Sequence, residues 1–318
     1  MRNFIITLFT LIVASSCCND NDVVDNEARY IPNFGNPEIK EIIGYGPIKK
    51  CTEYFYFDNV KEEYGQIVLG RFDFTYTYVF DTNGRIIECN YPGQRDTYDY
   101  KDNQCVFNSY YEKKLSQRIV NYYNGEQQII KQERYNNQRE LIGLYTYKYN
   151  ENGDEIELFD SVANNTLYKN TIKYEYDNQN RITRKKYIID PSRKLQEFSY
   201  TTENIHTPIH IYKYSDNSTI LLICDESGDV VNKKVTTPNG IVDSLFRGKN
   251  IDRVIKYDSN LNIIEEKSWS EYNGNNYISM QCTYKYIFDD RGNWIRKETY
   301  YTDKEIPSSV VIREIEYY

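Results

Sequence analysis

Alanine is nearly absent from this sequence, and long apolar runs are missing too. Ala14, Ala28 and Ala163 are the only alanines among 318 residues. Alanine is the best helix former, so its scarcity favours a fold built from β-strands. The longest apolar stretch is the run at positions 4–14, whereas a helix needs about 20 apolar residues to span a membrane. The run is too short to cross a bilayer, and the fold is expected to be mostly β.

Histidine is also scarce, which limits the metal sites that the chain could form. His206 and His210 are the only two, and Pro208 between them is incompatible with a continuous helix. On a strand, residues four positions apart are separated by about 13 Å, too far to share a metal ion. No metal site and no cofactor are expected.

Cysteine patterns that mark zinc or redox sites are missing as well. The five cysteines beyond residue 18 are Cys51, Cys89, Cys105, Cys224 and Cys282, and no two of them form a C-x-x-C motif. An odd number cannot pair completely, so buried thiols that pack as small apolar groups are expected. One disulfide between Cys89 and Cys105 is an open alternative.

Motifs of hydrolases and of phosphate-binding loops are missing too. A G-x-S-x-G motif is absent, and the lone G-x-G at positions 44–46 lacks the context of a phosphate loop.

Basic residues are outnumbered by acidic ones. The chain has 39 Lys and Arg against 47 Asp and Glu, a net charge of −8. This balance argues against a nucleic acid partner, because nucleic acid requires a basic face. It also argues against a peripheral protein held by anionic lipid headgroups.

The first sixteen residues have the features of a secretory signal peptide. Arg2 supplies the positive n-region, positions 4–14 form the apolar h-region, and small residues precede Cys17. The phrase VASSCC resembles a bacterial lipobox, which implies cleavage before Cys17 and lipid attachment to it. Residues 17–29 are predicted to be an acidic tether, and they resemble the surface-export signal of Bacteroidetes lipoproteins. The resemblance implies an outer-membrane lipoprotein, anchored through the lipid on Cys17 and facing the cell surface or the periplasm.

Tyrosine is in excess, with 34 residues, and it recurs in a repeated phrase. YTYVFDTNGRII begins at residue 76 and YKYIFDDRGNWI begins at residue 284. Each phrase has aromatic residues one and three places before an aspartate, and a glycine three places after it. The frame returns at Asp177 with Asn180 and at Asn150 with Gly153. Weaker echoes centre on Lys101, Ser215, Asp225 and Asp258.

Turn geometry explains this spacing. Aspartate at the first place and glycine at the fourth are the preferences of a type I turn followed by a G1 bulge. The aspartate side chain accepts backbone N–H bonds, and glycine or asparagine supplies the left-handed conformation. Such hairpins would pair Phe80 with Ile86, Tyr176 with Ile182, and Phe288 with Trp294. The predicted structural turn residues are Asp81, Gly84, Asp177, Asn180, Asp289 and Gly292.

The repeated phrases resemble the YD repeat of RHS-type proteins, whose core reads roughly Y-x-Y-D-x-x-G-R-L. The match extends from about Tyr76 to Arg296, with gaps. Family repeats are tandem β-hairpins that build long winding sheets, and in large RHS toxins the sheets close around a toxic segment. The resemblance implies hairpins and a sheet for this chain. Its repeats are irregularly spaced and degenerate, and no toxin domain is expected.

The predicted fold is all-β, with tandem antiparallel hairpins forming one extended, twisted or partly closed sheet. Residues 30–318 would form this domain, with residues 30–70 covering the first sheet edge. Asn-Gly pairs at positions 124–125 and 273–274 predict two further hairpins. A helix over Glu112–Tyr123 is the alternative to a strand before the first of these pairs, since Leu115, Ile119 and Tyr122 have helical spacing.

No catalytic constellation is recognisable, so a non-enzymatic binding module for a glycan or a protein is expected. The alternatives are a structural or assembly protein of the cell envelope and a polysaccharide hydrolase. The hydrolase would need two acidic groups about 5–9.5 Å apart. The candidate ligand-binding residues are Trp269 and Tyr272, beside a hairpin tip, and Trp294. Packing of Trp294 on Phe288 is the structural alternative for that tryptophan.

Overall fold

A computed structural model of the chain describes residues 46–57, 60–162, 166–188, 209–225, 227–247, 250–272, 275–302 and 304–318. This part of the chain is all-β, which confirms the predicted fold class. It contains no helix that is long and apolar enough to cross a membrane. The predicted signal peptide, the lipidation site at Cys17 and the acidic tether lie outside the described residues.

The described residues form 22 β-strands. They are β1 (Ile48–Tyr56), β2 (Val60–Glu63), β3 (Gln66–Leu69), β4 (Phe74–Phe80), β5 (Ile86–Tyr91), β6 (Gln94–Lys101), β7 (Gln104–Tyr111), β8 (Lys114–Tyr123), β9 (Ile129–Tyr135), β10 (Leu141–Tyr149) and β11 (Glu155–Val162). The remaining strands are β12 (Thr166–Tyr176), β13 (Ile182–Ile188), β14 (Ile209–Ser215), β15 (Ser218–Cys224), β16 (Val230–Thr237), β17 (Gly240–Arg247), β18 (Asn250–Tyr257), β19 (Ile263–Tyr272), β20 (Asn275–Phe288), β21 (Trp294–Tyr301) and β22 (Ser309–Tyr317).

Twenty of these strands form one closed sheet. Strands β4 to β22 follow one another around it in chain order, each antiparallel to the next. β1 pairs with β4 on one side and with β22 on the other, which closes the ring. An even number of strands allows an antiparallel ring to close without a parallel pair. The prediction of an extended or partly closed sheet is therefore wrong, because the pairing of the first and last ring strands completes a barrel.

The segment 30–70, which was predicted to cover the first sheet edge, is described only from residue 46 onwards. Its described part contains β1, which is a ring strand with partners on both sides. It also contains β2 and β3, which pair only with each other in the connection between β1 and β4. Closure removes the edges that such a segment would protect.

The connections alternate between the two ends of the ring. We call the end with the hairpins that follow the even-numbered strands β4 to β20 the turn rim, and β1 also begins there at Ile48. The opposite end, the loop rim, carries the connection from β1 to β4 with its β2–β3 hairpin. The chain that precedes Ile48, which includes the predicted tether, therefore joins the ring at the turn rim.

Turn chemistry at the turn rim follows the sequence prediction. In the hairpin between β4 and β5, Gly84 N donates to Asp81 O, and Asp81 N donates to Arg85 O, both at 2.9 Å. The Asp81 Oδ1 atom accepts the N–H groups of Asn83 and Arg85. The same bonding pattern occurs at the turn rim in the turns that begin at Asn124, Asn150, Asp177, Asp258 and Asp289, and at the loop rim in those that begin at Asn136 and Asp225. The predicted pairs Phe80–Ile86, Tyr176–Ile182 and Phe288–Trp294 are confirmed by the register.

Two features near Asn124 differ from the prediction. The residue with positive φ is Gln127, at 62°, so the hairpin is a bulged turn that begins at Asn124 and not a two-residue Asn-Gly turn. The helix alternative over Glu112–Tyr123 is wrong, because β8 occupies this stretch and pairs with β7 and β9. Cross-strand packing in the ring outweighs the helical spacing of its apolar residues.

Repeat tyrosines connect one hairpin to the next. The hydroxyl of Tyr286 donates to the carbonyl of Ile263, the first residue of β19, at 2.9 Å. Ile263 lies directly after the turn that begins at Asp258. Equivalent bonds run from Tyr149, Tyr174 and Tyr214 to the first residues of β9, β11 and β13. In these four hairpins, the first strand residue after the turn therefore has its carbonyl satisfied by a tyrosine of the following hairpin, which gives tyrosine a role at this place of the repeat.

Replacing Tyr286 with phenylalanine tests this connection. We expect Tyr286→Phe to lower the free energy of unfolding by about 1 kcal/mol, because the Ile263 carbonyl loses its donor while the ring remains. Tyr277→Phe is the control, since Tyr277 lies on the same strand with 51% of its surface exposed. Urea unfolding followed by tryptophan fluorescence measures both. Equal effects of the two substitutions would contradict the role of the hydroxyl.

The register divides the strand residues into an inner and an outer face. Residues opposite each other in an antiparallel ladder share a face, and buried positions such as Cys51, Cys105, Leu158 and Lys185 fall on one face around the ring. This inner face holds most of the repeat tyrosines. About eight strands already give a barrel that side chains can fill, so we expect a ring of 20 strands to enclose a wider space, which we call the lumen.

The outer face carries rows of charge between adjacent strands. Glu157 on β11 lies between Lys148 on β10, at 2.9 Å, and Lys169 on β12. Glu265 on β19 contacts Lys256 on the adjacent β18 and Lys267 on β19 itself, each at 2.6 Å. Such exposed pairs contribute at most about 1 kcal/mol each. Their consistent placement makes the outer face a hydrated surface.

All five described cysteines are buried free thiols. The alternative of a Cys89–Cys105 disulfide is wrong. Cys89 lies on β5 and Cys105 on β7, so β6 separates them by about two strand spacings of 4.8 Å. A disulfide requires Cα atoms within about 6.8 Å of each other. Burial raises the pKa of each of these two thiols to about 12, so both remain protonated at neutral pH.

Candidate functional site: the aromatic cluster at the loop rim

Five aromatic side chains form a continuous cluster where β1, β4 and β5 reach the loop rim. They are Phe55, Phe57, Phe74, Tyr76 and Tyr91, and we call them the loop-rim cluster. The ring centroids of Phe55 and Phe74 lie 4.7 Å apart, those of Phe74 and Tyr76 lie 5.3 Å apart, and those of Tyr76 and Tyr91 lie 4.9 Å apart. Alternation along β1 and β4 directs these rings to the inner face. The cluster therefore runs from the rim into the lumen.

The outermost ring of the cluster is open to solvent. Phe57 is 46% exposed, and its N–H donates to Asp73 Oδ2 at 2.7 Å. Asp73 N in turn donates to Phe55 O at 2.8 Å. These two bonds hold the start and the end of the β1–β4 connection together, so Phe57 is exposed on a fixed backbone. A rigid exposed aromatic residue provides contact area at low cost in conformational entropy.

A second aromatic group continues the surface around the rim. Phe72 is 40% exposed and contacts the ring of Tyr54 edge-on at 5.4 Å. A shallow depression of about 310 Å³ lies beside it, lined by Phe72, Phe74, Thr75, Thr77, Asn90, Tyr91 and Pro92. Tyr64, at the tip of the β2–β3 hairpin, is fully exposed. Large apolar side chains exposed together indicate a binding surface, whereas isolated ones do not.

Other exposed apolar residues also favour the loop rim over the turn rim. Near the loop rim the exposed members are Phe57, Tyr64, Val68, Phe72, Tyr111, Leu141, Ile142, Ile251, Tyr277, Ile278, Tyr301 and Ile306. Near the turn rim they are Ile130, Val242, Leu261, Ile264, Ile287, Phe288 and Tyr318. The loop rim is the end away from Ile48, where the preceding chain joins the ring. It is therefore the end best placed to meet a ligand.

The three predicted ligand-binding residues do not form one site. Trp269 is half-buried on β19 near the loop rim, opposite the exposed Ile278. It lies six residues beyond the start of β19, about 20 Å along the strand from the turn rim. Tyr272 pairs with Asn275 through its backbone, and its side chain lies outside the described atoms. Trp294 is at the turn rim and is only 6% exposed.

Trp294 has a structural role in the ring. Its ring lies 3.2 Å from Arg313 Cζ and 6.0 Å from the centroid of Tyr286. Arg313 bonds Glu53 Oε1 through Nε and Nη2, both at 2.7 Å. The side chains of Arg313 and Glu53 are 4% and 8% exposed. This buried pair joins β22 to β1 at the place where the ring closes.

The predicted turn residues are in structural roles. Gly84 and Gly292 have φ values of 76° and 83°, and Asn180 has 60°, which places all three in the left-handed region. Asp177 and Asp289 accept backbone N–H bonds in the same way as Asp81. The pKa values of both aspartates are held below the usual range. At Asp177 the backbone hydrogen bond from Arg181 has the largest effect. At Asp289 burial raises the pKa, but the hydrogen bonds from the Tyr317 hydroxyl and the other donors outweigh it.

His210, the described member of the predicted histidine pair, is on the inner face of β14 beside Tyr187, with ring centroids 5.3 Å apart. His206 lies outside the described residues. Within the described ranges, no group of three or more His, Cys, Asp or Glu side chains is arranged to hold a metal ion.

Sequence reasoning missed the loop-rim cluster, although a signal for it was present. Phe55 and Phe57 alternate on one strand, and Phe72, Phe74 and Tyr76 alternate shortly after them. Two runs of aromatics at spacing two, joined by a short connection, predict adjacent strands with stacked rings. These residues precede the repeats or overlap the first one, so the repeat pattern does not mark them.

Comparisons with known proteins place the chain in no family. No family model matches it, and no curated protein matches it. Among solved structures, it is similar to a porin-like protein from Bacteroides uniformis, with 12% identity, coverage of 85% of this chain and 96% of that one, and a TM-score of 0.34. It is also similar to a chain of the TcdB2–TccC3–Cdc42 complex, with 10% identity and a TM-score of 0.29; 78% of this chain matches 16% of that one. Scores this low assign neither a fold family nor a function.

Proposed function

We propose that the chain is a non-enzymatic lipoprotein of the outer membrane whose closed ring binds a saccharide at its loop rim. The observation that carries this proposal is the exposed loop-rim cluster, at the end away from the predicted tether. The lipid on Cys17 would hold the protein to the membrane and leave the loop rim facing the cell exterior or the periplasm. The degenerate YD-like repeats would serve as the hairpin units of the ring.

The chemistry of the cluster favours a saccharide as ligand. Aromatic rings stack against the C–H faces of sugar rings, and the hydroxyls of Tyr76 and Tyr91 can exchange hydrogen bonds with the sugar. A flat rim of fixed aromatic rings with a shallow depression suits an extended chain better than a small molecule that requires a deep pocket. Half-buried Trp269, near the same rim, would extend the contact surface.

The outer face supports a ring that stands outside the bilayer. Lys148, Glu157 and Lys169 form one of several charged rows across it. A lysine or arginine on the lipid face of a barrel costs about 2–4 kcal/mol at the bilayer midplane. Several such rows would make insertion strongly unfavourable, so the lipid anchor would be the attachment to the membrane.

Substitution of the exposed aromatics tests the proposal. The full-length lipidated chain in detergent would be screened by affinity electrophoresis against a panel of soluble plant and bacterial polysaccharides. We expect at least one to bind, and we expect Phe57→Ser combined with Phe72→Ser to weaken that binding by about tenfold or more, which corresponds to about 1.4 kcal/mol. Ile287→Ser, at a 53% exposed residue near the turn rim, is the matched control and should leave binding unchanged.

Two results would contradict the proposal. One is that no polysaccharide in the panel binds the wild-type chain. The other is that the control and the double variant weaken binding equally. Self-association of the chain without polysaccharide binding would favour an assembly role in the envelope.

A further inference from the structure

The inner face contains one buried cation that has no ion-pair partner among the described residues. Lys185 lies in the middle of β13 and is only 5% exposed. Its neighbours across the sheet are Tyr174 on β12 and His210 on β14. In the described ranges, no carboxylate oxygen lies within the 4.0 Å ion-pair limit of Lys185 Nζ, and no hydrogen bond to that atom is present.

Arg313, which is also buried on the inner face, has a partner. It is paired with Glu53 at 2.7 Å. The more exposed Arg253 bonds Glu266 at 2.8 Å through both Nε and Nη2. Each of these arginines reaches the carboxylate on an adjacent strand. Lys185 has an aromatic residue and a histidine in the corresponding places. The ring therefore places a carboxylate against the buried Arg313, and among the described residues it places none within ion-pair distance of Lys185.

Two aromatic rings offset only part of the free-energy cost of burying the Lys185 ammonium. Its Nζ lies 4.8 Å from the ring centroid of Tyr187 and 5.5 Å from that of Tyr174. Cation–π contacts contribute about 0.5–2 kcal/mol, whereas the cost of removing an ammonium from water is several kcal/mol. Burial therefore lowers the pKa of Lys185 to about 8, against the opposing attraction of Glu155 and Asp154. At pH 7 the amine is still mostly protonated.

The titratable groups around Lys185 do not replace the missing partner. They are Tyr174, Tyr187, His210, Tyr212, Glu155 and Asp154. Burial lowers the pKa of His210 to about 4, with a further lowering from Lys185, so this histidine is neutral at pH 7. Asp154 Oδ2 accepts the Tyr176 hydroxyl at 2.6 Å, and burial raises the pKa of Glu155. Burial also raises the pKa of Tyr174 and Tyr187, which keeps both protonated.

We propose that Lys185 binds the anionic group of a ligand that enters the lumen, a carboxylate or a sulfate on an organic molecule such as a uronic acid. The ammonium supplies the charge, and the rings of Tyr174 and Tyr187 lie against the body of the ligand. A bound oxyanion provides the counter-charge that β12 and β14 lack. This site is on β12–β14, away from β1, β4 and β5, so it is independent of the loop-rim cluster.

Calorimetric titration of the full-length chain in detergent tests the site. The probes are glucuronate, inorganic sulfate and glucose at pH 7. We expect glucuronate to bind and glucose to bind at least about tenfold more weakly, a difference of about 1.4 kcal/mol. Tighter binding of glucuronate than of sulfate would identify an organic acid as the ligand, and equal binding would identify the oxyanion alone.

Two lysines on β13 provide a matched pair of variants. Lys185→Met removes the inner amine and retains its shape, and we expect it to weaken glucuronate binding by at least about tenfold. Lys186→Met makes the same charge change on the exposed outer face of the same strand, and it should have no effect. Equal glucuronate affinity in the wild type and in Lys185→Met would overturn the proposal, as would a wild type that binds neither anion.

The pH dependence of the wild type provides a test that needs no variant. With a pKa of about 8 for Lys185, its protonated fraction falls about tenfold between pH 7 and pH 9. Glucuronate and sulfate keep their charge over this range, and His210 and both tyrosines keep theirs. Glucuronate affinity should therefore fall about tenfold from pH 7 to pH 9. An affinity that is constant up to pH 9 would overturn the assignment to Lys185.

Discussion

Replacing Arg313 with methionine is expected to lower the free energy of unfolding by about 3–5 kcal/mol. The substitution leaves the carboxylate of Glu53, which is 8% exposed, without its counter-charge. It also removes the guanidinium that covers the ring of Trp294 at 3.2 Å. Glu53 and Arg313 are 260 residues apart in sequence and join the first and last strands of the ring. The loss therefore acts on closure itself, and urea unfolding followed by tryptophan fluorescence measures it.

Two further variants separate the buried charge from other effects. Glu53→Leu combined with Arg313→Met removes both charges and should recover most of the lost stability, since apolar replacement of a buried ion pair is often neutral or stabilising. Arg95→Met breaks the outer-face pair with Glu88, which has a 2.6 Å contact and side chains that are 55% and 30% exposed. It should cost less than about 1 kcal/mol. A loss in Arg95→Met as large as in Arg313→Met would contradict the importance of burial.

The hairpins were predictable from the sequence because their causes are local. Asp81 and Gly84 are three residues apart, and the bonds that define their turn involve only Asp81 to Arg85. The positions of Phe80 and Ile86 follow from that turn. Closure depends instead on β1 pairing with β22, which is a contact between distant segments without a local pattern. A chain of hairpins with the same turns could equally form an open sheet, so the pairing of β1 with β22 decides whether the sheet closes.

The candidate sites were predictable only where an aromatic residue lay beside a recognisable turn. Trp269 was predicted as a ligand-binding residue because it is an aromatic residue beside a hairpin tip, and the structure places it near the loop rim that carries the exposed aromatics. Trp294 was also a candidate, but it is buried and Arg313 covers its ring. Nothing in the sequence around Lys185 distinguishes it from Lys186. Its burial depends on the face to which it points and on the residues that adjacent strands place beside it, which only the register reveals.

Gly240 is a position where one added methyl group should prevent the native backbone from forming. It follows the turn between β16 and β17 and has a φ of 129°. A Cβ atom there would lie 2.1 Å from Tyr257 O and 2.9 Å from Asp258 C. These are backbone atoms at the end of β18, so no side-chain rotation relieves the clash. We expect Gly240→Ala to cost about 4 kcal/mol or more, or to prevent recovery of folded protein, as measured by soluble yield and the urea midpoint.

Gly125→Ala provides the control for this prediction. Gly125 is also in a turn-rim hairpin, but its φ is not positive, and a Cβ added there would meet no other heavy atom within 4 Å. Alanine at such a position reduces the entropy of the unfolded chain and should stabilise the protein by about 0.4–1 kcal/mol. An unchanged urea midpoint in Gly240→Ala would mean that the β16–β17 turn does not approach β18 closely. The opposite signs expected for the two variants therefore test the packing of the hairpins against one another, which a general intolerance of alanine in turns would not reproduce.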